Sequence, residues 1–302
     1  MKRTIGTLSL LLINLMAIFF STGVVSAAAA QVLTVSPADV STVVQPGSVN
    51  HGSIEVLNQG KTSYKFIAYA TPYHVSGEDY QPNFTYLPSA PKVVNWFKFS
   101  PTHYLINPGQ NEVINYTITV PKNTLAGGYY AVAFSQTEVP KSANAVTVNE
   151  RAGVIFYLEV AGPVIKQGNL LSWHSSFLQT PPLTANLRLN NTGSIYYFSN
   201  IHINVRDIFG KLKYSVDTQK ALLPQTVRSI TLPWPNGPKL GLFKVSGSAT
   251  IFNRTVNLPN RYVLVMSRPI QIVCLIILIS IVLFIAQRLR HRFSKSKNKP
   301  NK

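Results

Sequence analysis

The chain has 302 residues, with 28 Lys and Arg against 10 Asp and Glu, for a formal charge of +18. That length holds two ordinary domains besides targeting segments. The one cysteine, Cys274, lies in an apolar stretch near the C-terminus. This excludes a disulfide-stapled receptor module and leaves the preceding part without a thiol nucleophile or thiolate ligand.

The N-terminus begins Lys2-Arg3, continues apolar over 5–20 and closes on Val25-Ser26-Ala27-Ala28-Ala29-Ala30. A basic start, an apolar middle and small residues at the exit are what the export machinery and its peptidase read. The expectation is a signal peptide over 1–27, cleaved after Ala27 or Ala30. An uncleaved anchor is the alternative.

From Val32 the chain reads as short β-branched and aromatic runs punctuated by Pro, Gly and Asn. Strands are expected at 33–35, 52–57, 64–69, 113–120, 129–134 and 154–160. Alternation is clearest in Val113-Ile114-Asn115-Tyr116-Thr117-Ile118-Thr119-Val120, where period two buries one face and wets the other. Gln45-Pro46-Gly47 and Asn107-Pro108-Gly109 are expected to be corners, Pro setting φ and Gly supplying φ > 0. Each precedes a strand of similar length, at an edge-to-interior transition. Asn58-Gln59-Gly60 and Asn191-Thr192-Gly193 are expected to close hairpins, one in each half. The run 125–130 resembles the corner before a penultimate sandwich strand, where a tyrosine hydroxyl bonds back to the backbone. Tyr130 is the expected tyrosine, with a simple surface aromatic as the alternative. The first domain is placed at 31–162, bounded by Gly162-Pro163.

Within it, the segment 71–91 is the leading ligand-binding candidate. It carries Tyr73, His74, Tyr80, Phe84 and Tyr86 among Pro72, Pro82, Pro88 and Pro91. Flat rings stack on sugars or partner side chains at low entropic cost, and prolines stiffen the loop beforehand. The competing reading is that these rings plug one end of the sandwich. Segment 138–150, polar and rich in Ala, Ser and Asn, is a second candidate, either an exposed arm or a disordered loop.

A second domain is expected over 166–265, with strands at 184–189, 201–206, 228–232, 243–252 and 262–266. Asp207-Ile208-Phe209-Gly210-Lys211 looks like a hairpin turn. A transmembrane helix follows over 269–287. Residues 270–286 are apolar except Gln271 and Ser280, and 17 residues rise about 26 Å, close to a hydrocarbon core once flanking side chains snorkel. Pro269 suits a first helical turn. The tail 288–302 carries Arg288, Arg290, Arg292, Lys295, Lys297, Lys299 and Lys302 and no acid. Positive residues stay cytoplasmic, so the N-terminus is expected outside and the C-terminus inside, in a single-pass cell-membrane protein. Seven of the 28 basic residues lie in this tail and two in the leader, leaving nineteen against all ten acids in the outer part. That excess suits anionic wall polymers or headgroups, and equally a merely solubilising surface.

The outer part resembles a known family. The run Asn95-Trp96-Phe97-Lys98-Phe99-Ser100-Pro101, then Asn107-Pro108-Gly109, Val120-Pro121 and Gly127-Gly128-Tyr129, is similar to the first domain of WxL-interacting cell-surface proteins of Gram-positive bacteria. Val35-Ser36-Pro37, Gln45-Pro46-Gly47, Asn191-Thr192-Gly193, Asp207 with Gly210-Lys211, Leu223-Pro224, Arg228 and Gly241-Leu242-Phe243 fit the same pattern. Such corners also occur in periplasmic pilus chaperones. The resemblance implies peptidoglycan binding through the first domain and protein-partner binding through the second. No short motif transfers a ligand residue.

Catalytic chemistry needs titratable groups at fixed spacings. His51, His74, His103, His174 and His202 show no metal-ligand spacing, and no Gly-x-Ser-x-Gly elbow or phosphate-cradling Gly-Lys loop occurs. Glu78-Asp79 alone makes too thin a shell for calcium. Leu258-Pro259-Asn260 is followed by Arg261-Tyr262 rather than the Thr-Gly of a sortase signal. The reading is therefore all-β: two tandem immunoglobulin-like β-sandwiches followed by one transmembrane α-helix. A non-enzymatic surface binding or scaffolding protein is expected, with no cofactor and no metal. Its expected partners are the membrane, peptidoglycan or another anionic wall polymer, and surface proteins, with no nucleic acid. The alternative is a chaperone-like assembly factor working by strand addition.

Overall fold

The computed structural model describes residues 33–86, 92–138 and 150–297. The expected leader at 1–27, the interior of the 138–150 segment and the end of the basic tail lie outside them.

Residues 33–160 form one immunoglobulin-like β-sandwich. One sheet has the order β1-β3-β9-β7, with β1 Leu33–Ser36, β3 Val49–Asn58, β9 Asn111–Thr119 and β7 Phe97–Phe99. The other runs β2-β11-β10-β4-β8, with β2 Asp39–Val44, β11 Arg151–Val160, β10 Gly127–Glu138, β4 Tyr64–Pro72 and β8 His103–Ile106. Ile54, Ile114 and Ile118 of the first sheet meet Phe66, Phe156 and Leu158 of the second, all essentially sealed from solvent. Burying each such side chain contributes about 1.5–3 kcal/mol. Period-two alternation aims these residues inward, as the sequence indicated for 113–120.

The first strand serves both sheets. β1 pairs antiparallel with β3, then the chain crosses at Pro37-Ala38 and β2 pairs parallel with β11 over six residues. The two Pro-Gly corners behave as expected. Gly47 and Gly109 have φ of +79° and +71°, each turn closed by an i to i+3 bond of 3.1 Å. Both carry the chain from an edge strand, β2 or β8, to an interior strand of the opposite sheet.

Two expectations are corrected here. Asn58 and Asn191 do not close hairpins, because each follows a strand of one sheet and leads to a strand of the other. Each is fully buried and uses its amide as a fastener. Asn58 donates to Thr62 O at 2.9 Å and accepts from Gly60 N; Asn191 donates to Ile195 O and Leu222 O and accepts from Gly193 N, all at 2.9 Å. A sheet crossing leaves backbone groups without a ladder, and a buried asparagine satisfies them. The corner tyrosine is Tyr129, whose hydroxyl donates to Leu125 O at 3.0 Å and whose ring packs 4.8 Å from Trp96. Tyr130 points to the opposite face.

Residues 168–266 repeat the plan. β12 Gly168–His174, β14 Leu183–Asn191 and β17 Thr226–Trp234 form one sheet. The other has the order β13-β19-β18-β15-β16, with β13 Leu178–Gln179, β15 Tyr197–Asp207, β16 Leu212–Leu222, β18 Leu240–Ile251 and β19 Arg254–Met266. β13 pairs parallel with β19, so the sheet-switching first strand recurs. Leu187, Leu189, Ile201, Val245 and Val263 fill this core. The Asp207–Lys211 turn is the expected hairpin; Gly210 takes φ +83° and its N–H donates to Asp207 O at 3.0 Å.

A helix α1, Arg268–Lys297, begins one residue after β19. Its segment Arg268–Arg288 has a mean hydropathy of 2.9 and is not buried against the sandwiches. At 1.5 Å per residue these 21 residues rise about 32 Å, long and apolar enough to cross a bilayer.

Candidate functional site

The 71–86 segment folds as a short hairpin, β5 His74–Ser76 against β6 Gln81–Asn83, directly after β4 of the first sandwich. Its turn needs left-handed backbone at Gly77 (φ +66°) and at Tyr80 (φ +60°). Tyrosine tolerates that only under compensating contacts, and Tyr80 has several. Its hydroxyl accepts from Leu223 N at 3.0 Å and bonds the Thr226 hydroxyl. Above its ring lies the Arg228 guanidinium, 4.3 Å from the centroid, which also donates to Ala221 O at 2.6 Å. Beside it, Glu78 O accepts from Ser229 N at 2.7 Å, and the Glu78 carboxylate receives both Nε and Nη2 of Arg188. Every one of these partners belongs to the second sandwich.

A second contact zone lies on the outer faces of β10 and β11. There Val132, Phe134 and Tyr157 join Tyr73, Tyr80, Ala221 and Leu223 in a buried cluster separate from the two sandwich cores. Tyr157 meets Tyr73 edge-on at 6.3 Å and Phe198 edge-on at 5.3 Å, and lies tilted against Tyr196 at 5.0 Å. The Tyr130 hydroxyl accepts from Tyr196 N at 3.0 Å, Gly128 N donates to Ser194 O at 3.1 Å, and Ser41 bonds the Tyr196 hydroxyl. Arg151 lies 4.6 Å over Phe134 and 5.2 Å over Phe84, which itself meets Phe134 edge-on at 5.0 Å.

The electrostatics fit a seam. Burial pushes the phenols of Tyr73, Tyr80, Tyr130 and Tyr157 up, so all stay neutral at physiological pH. The hydrogen bond from Arg188 holds the Glu78 carboxyl below its ordinary value. Burial lowers His74, whose Nε2 is buried without a partner, so its imidazole stays neutral.

Of the five rings singled out from sequence, Tyr73 and Tyr80 are spent in this seam, and His74 and Phe84 are half-buried beside it. Only Tyr86, 63% exposed, keeps an open face. The stiff aromatic loop therefore clamps one sandwich to the other. Arg188, Tyr157, Tyr196 and Phe198 escaped sequence reasoning, and Glu78 and Arg228 were noticed there without this role. The signal was present in β11, where Phe156 and Leu158 point to the core while Ile155 and Tyr157 put apolar bulk on the face that alternation leaves for water. Glu78-Asp79 is not assembled as a cation shell, since Glu78 is bound by Arg188. Among the described residues no three His, Cys, Asp or Glu side chains converge.

Apart from six-residue β2, the sheet edges are short or guarded. β1, β7 and β13 have four, three and two residues. β12 carries a bulge between Leu170 and Ser172, and β17 carries Pro233. Long β16 places Lys213, Asp217 and Lys220 along its length. Bulges, prolines and edge charges all oppose strand addition. The first four residues of β11 differ, because β2 begins its pairing only at Ile155. No described strand pairs with that side of 151–154, although β1 lies close to β11 there.

No family model matches the chain, and no curated protein matches it. Solved structures similar to it include the CsuC–CsuE chaperone–tip adhesion subunit pre-assembly complex from the Csu pili of Acinetobacter baumannii, at 10% identity and a TM-score of 0.39, covering 78% of this chain and 99% of that one. The Salmonella enterica SafA pilin in complex with the SafB chaperone gives 12% identity and a TM-score of 0.38, covering 79% and 98%. The E. coli chaperone DraB gives 14% and 0.36, covering 78% and 97%.

Proposed function

We propose that this chain is a membrane-anchored cell-surface binding or scaffolding protein without catalytic chemistry. Helix α1 spans the cell membrane with the basic tail inside, and the two sandwiches stand outside as one rigid arm that contacts wall polymer, surface proteins or both. The clamp carries this reading. Tyr80, Glu78 and the Tyr130–Tyr157–Tyr196 cluster tie the modules together while β19 runs into the apolar helix across Ser267 alone. Hydrogen bonds and buried rings on both sides of a seam hold an orientation, which a scaffold needs and a flexible tether does not. The likeness to WxL-interacting proteins supplies the two partner classes.

The test is capture by the full-length protein in vesicles, offered purified wall sacculi and solubilised surface proteins separately. Saturable binding in at least one arm is expected. Absence of saturable binding in both would overturn the reading, as would protease protection of the sandwiches on intact cells.

A second reading rests on the unpaired side of 151–154, where an incoming strand could pair in continuation of β2 if β1 gave way. Cross-linking from Ala152 to a partner's extended segment would favour it over surface complementarity. The guarded state of the other edges keeps it second.

A further inference from the structure

The helix-proximal end of the second sandwich bears an apolar rim that no other described residue covers. β19 and β18 pair up to Leu240 opposite Met266, and Ser267 N still donates to Lys239 O at 2.8 Å. The ladder therefore persists to the residue before α1, leaving no slack between sandwich and helix. One strand further, Asp207 stands opposite Phe243. The turn that follows thus rises alongside Leu240–Leu242, level with the last residues of β19. On the other side of β19, Leu178 stands opposite Leu264. Phe177, Leu178, Ile208, Phe209, Leu240 and Leu242 accordingly share one end of the five-stranded sheet, and all are exposed, Phe209 by 89%.

Phe209 is presented by construction. The Asp207 carboxylate accepts from Phe209 N and Lys211 N at 3.0 Å and pairs with Lys213 at 3.2 Å, fixing the turn while the ring points out. A turn braced this firmly around an exposed phenylalanine is costly in water and expected where the ring has an apolar medium to enter.

Charge points the same way. Residues 31–162 hold seven Lys and Arg against eight acids, a balance of −1. Residues 166–268 hold twelve Lys and Arg against only Asp207 and Asp217, a balance of +10. The whole outer surplus belongs to the sandwich joined to the helix, and Lys211, Lys239 and Arg268 flank the rim itself. A positive collar around exposed apolar tips matches anionic headgroups above acyl chains.

We propose that this rim is a second membrane contact, with the 208–209 tip and the Leu240–Leu242 edge lying in the headgroup–acyl boundary of an anionic bilayer. The inference rests on the reading that α1 spans the membrane. The contact sets the tilt of the arm by giving it two points of support instead of one.

The test uses the full chain in phosphatidylglycerol-containing vesicles, with Cys274→Ser removing the native thiol and a single spin label at Phe209→Cys, Leu278→Cys or Leu125→Cys. Collision rates with oxygen and with a water-soluble nickel complex report depth. The 209 label is expected to collide with nickel several-fold less often than the label at 125, which sits on the first sandwich. Equal nickel access at 209 and 125, with the 278 label protected, overturns the rim contact alone. Exposure at 278 as well overturns the spanning helix on which it rests. Protection at 209 that appears only when an anionic wall polymer is added assigns the rim to that polymer and overturns the lipid contact.

Discussion

Removing one oxygen atom from the seam gives the sharpest test of the clamp. Tyr80 is 7% exposed, and its hydroxyl takes the N–H of Leu223, itself 5% exposed, at 3.0 Å. Tyr80→Phe keeps the ring beneath Arg228 but strands that buried N–H. The Thr226 hydroxyl loses its bond to Tyr80 as well and keeps the one it donates to Leu223 O at 2.8 Å. A buried donor without an acceptor costs about 1–3 kcal/mol. For an ordered region of this size each kcal/mol moves the melting midpoint by roughly 2–4 °C, so a loss near 2 kcal/mol lowers it by about 4–8 °C. The assay is thermal unfolding of the full chain in detergent, followed by tryptophan emission, with Tyr86→Phe as the exposed control. The midpoint should drop for Tyr80→Phe and stay within a degree for Tyr86→Phe. Equal midpoints for wild type and Tyr80→Phe would refute the argument, because the hydroxyl would then bear no load at the junction.

Asn191→Ala removes a fully buried amide that serves two carbonyls and one N–H, and is expected to destabilise by about 3 kcal/mol, read as a shift in denaturant midpoint. Gly109→Ala isolates backbone strain, since an added methyl meets nothing within 4 Å while φ is +71°; a loss of about 1–2 kcal/mol is expected. Acidification should weaken the protein in two windows. His74 has its pKa lowered by burial, so the unfolded chain binds the extra proton and stability falls as pH drops through 6.5; His74→Gln should flatten that segment of the curve. Glu78, lowered by its bond from Arg188, contributes stability above 4.5 that disappears as pH falls through its folded value, and Glu78→Gln should remove that lower window.

Much of the architecture was legible because alternation and turn chemistry are local. Pro46-Gly47 and Pro108-Gly109 announce left-handed corners, and the structure has them. The order of two sandwiches and an apolar helix follows from spacing alone. β16 was missed because Lys213, Asp217 and Lys220 break its apolar pattern, as befits an edge strand. β2 and β13 were missed because sheet switching is a tertiary event in which the same chain changes partners. The aromatic segment 71–86 was recognised as special, yet its destination was not legible. A ring that stacks on a ligand and a ring that seals a junction have the same composition, and only the positions of Leu223, Arg188 and Tyr157 distinguish them. Tyr129 and Tyr130 show the same limit: adjacent residues on opposite faces, one closing a corner and one reaching the neighbouring module.

The parallel pairing of β2 with β11 has a mechanical consequence. In the first sandwich the chain passes through β1 into β2 and leaves along β11, and β2 and β11 lie side by side, pointing the same way, for six residues. Traction between its N-terminal end and helix α1 would drag these strands lengthwise past one another. Their cross-links would then be stressed together instead of unzipping one by one. An arm built like this resists hauling better than its thermal stability alone suggests, which suits the role proposed above.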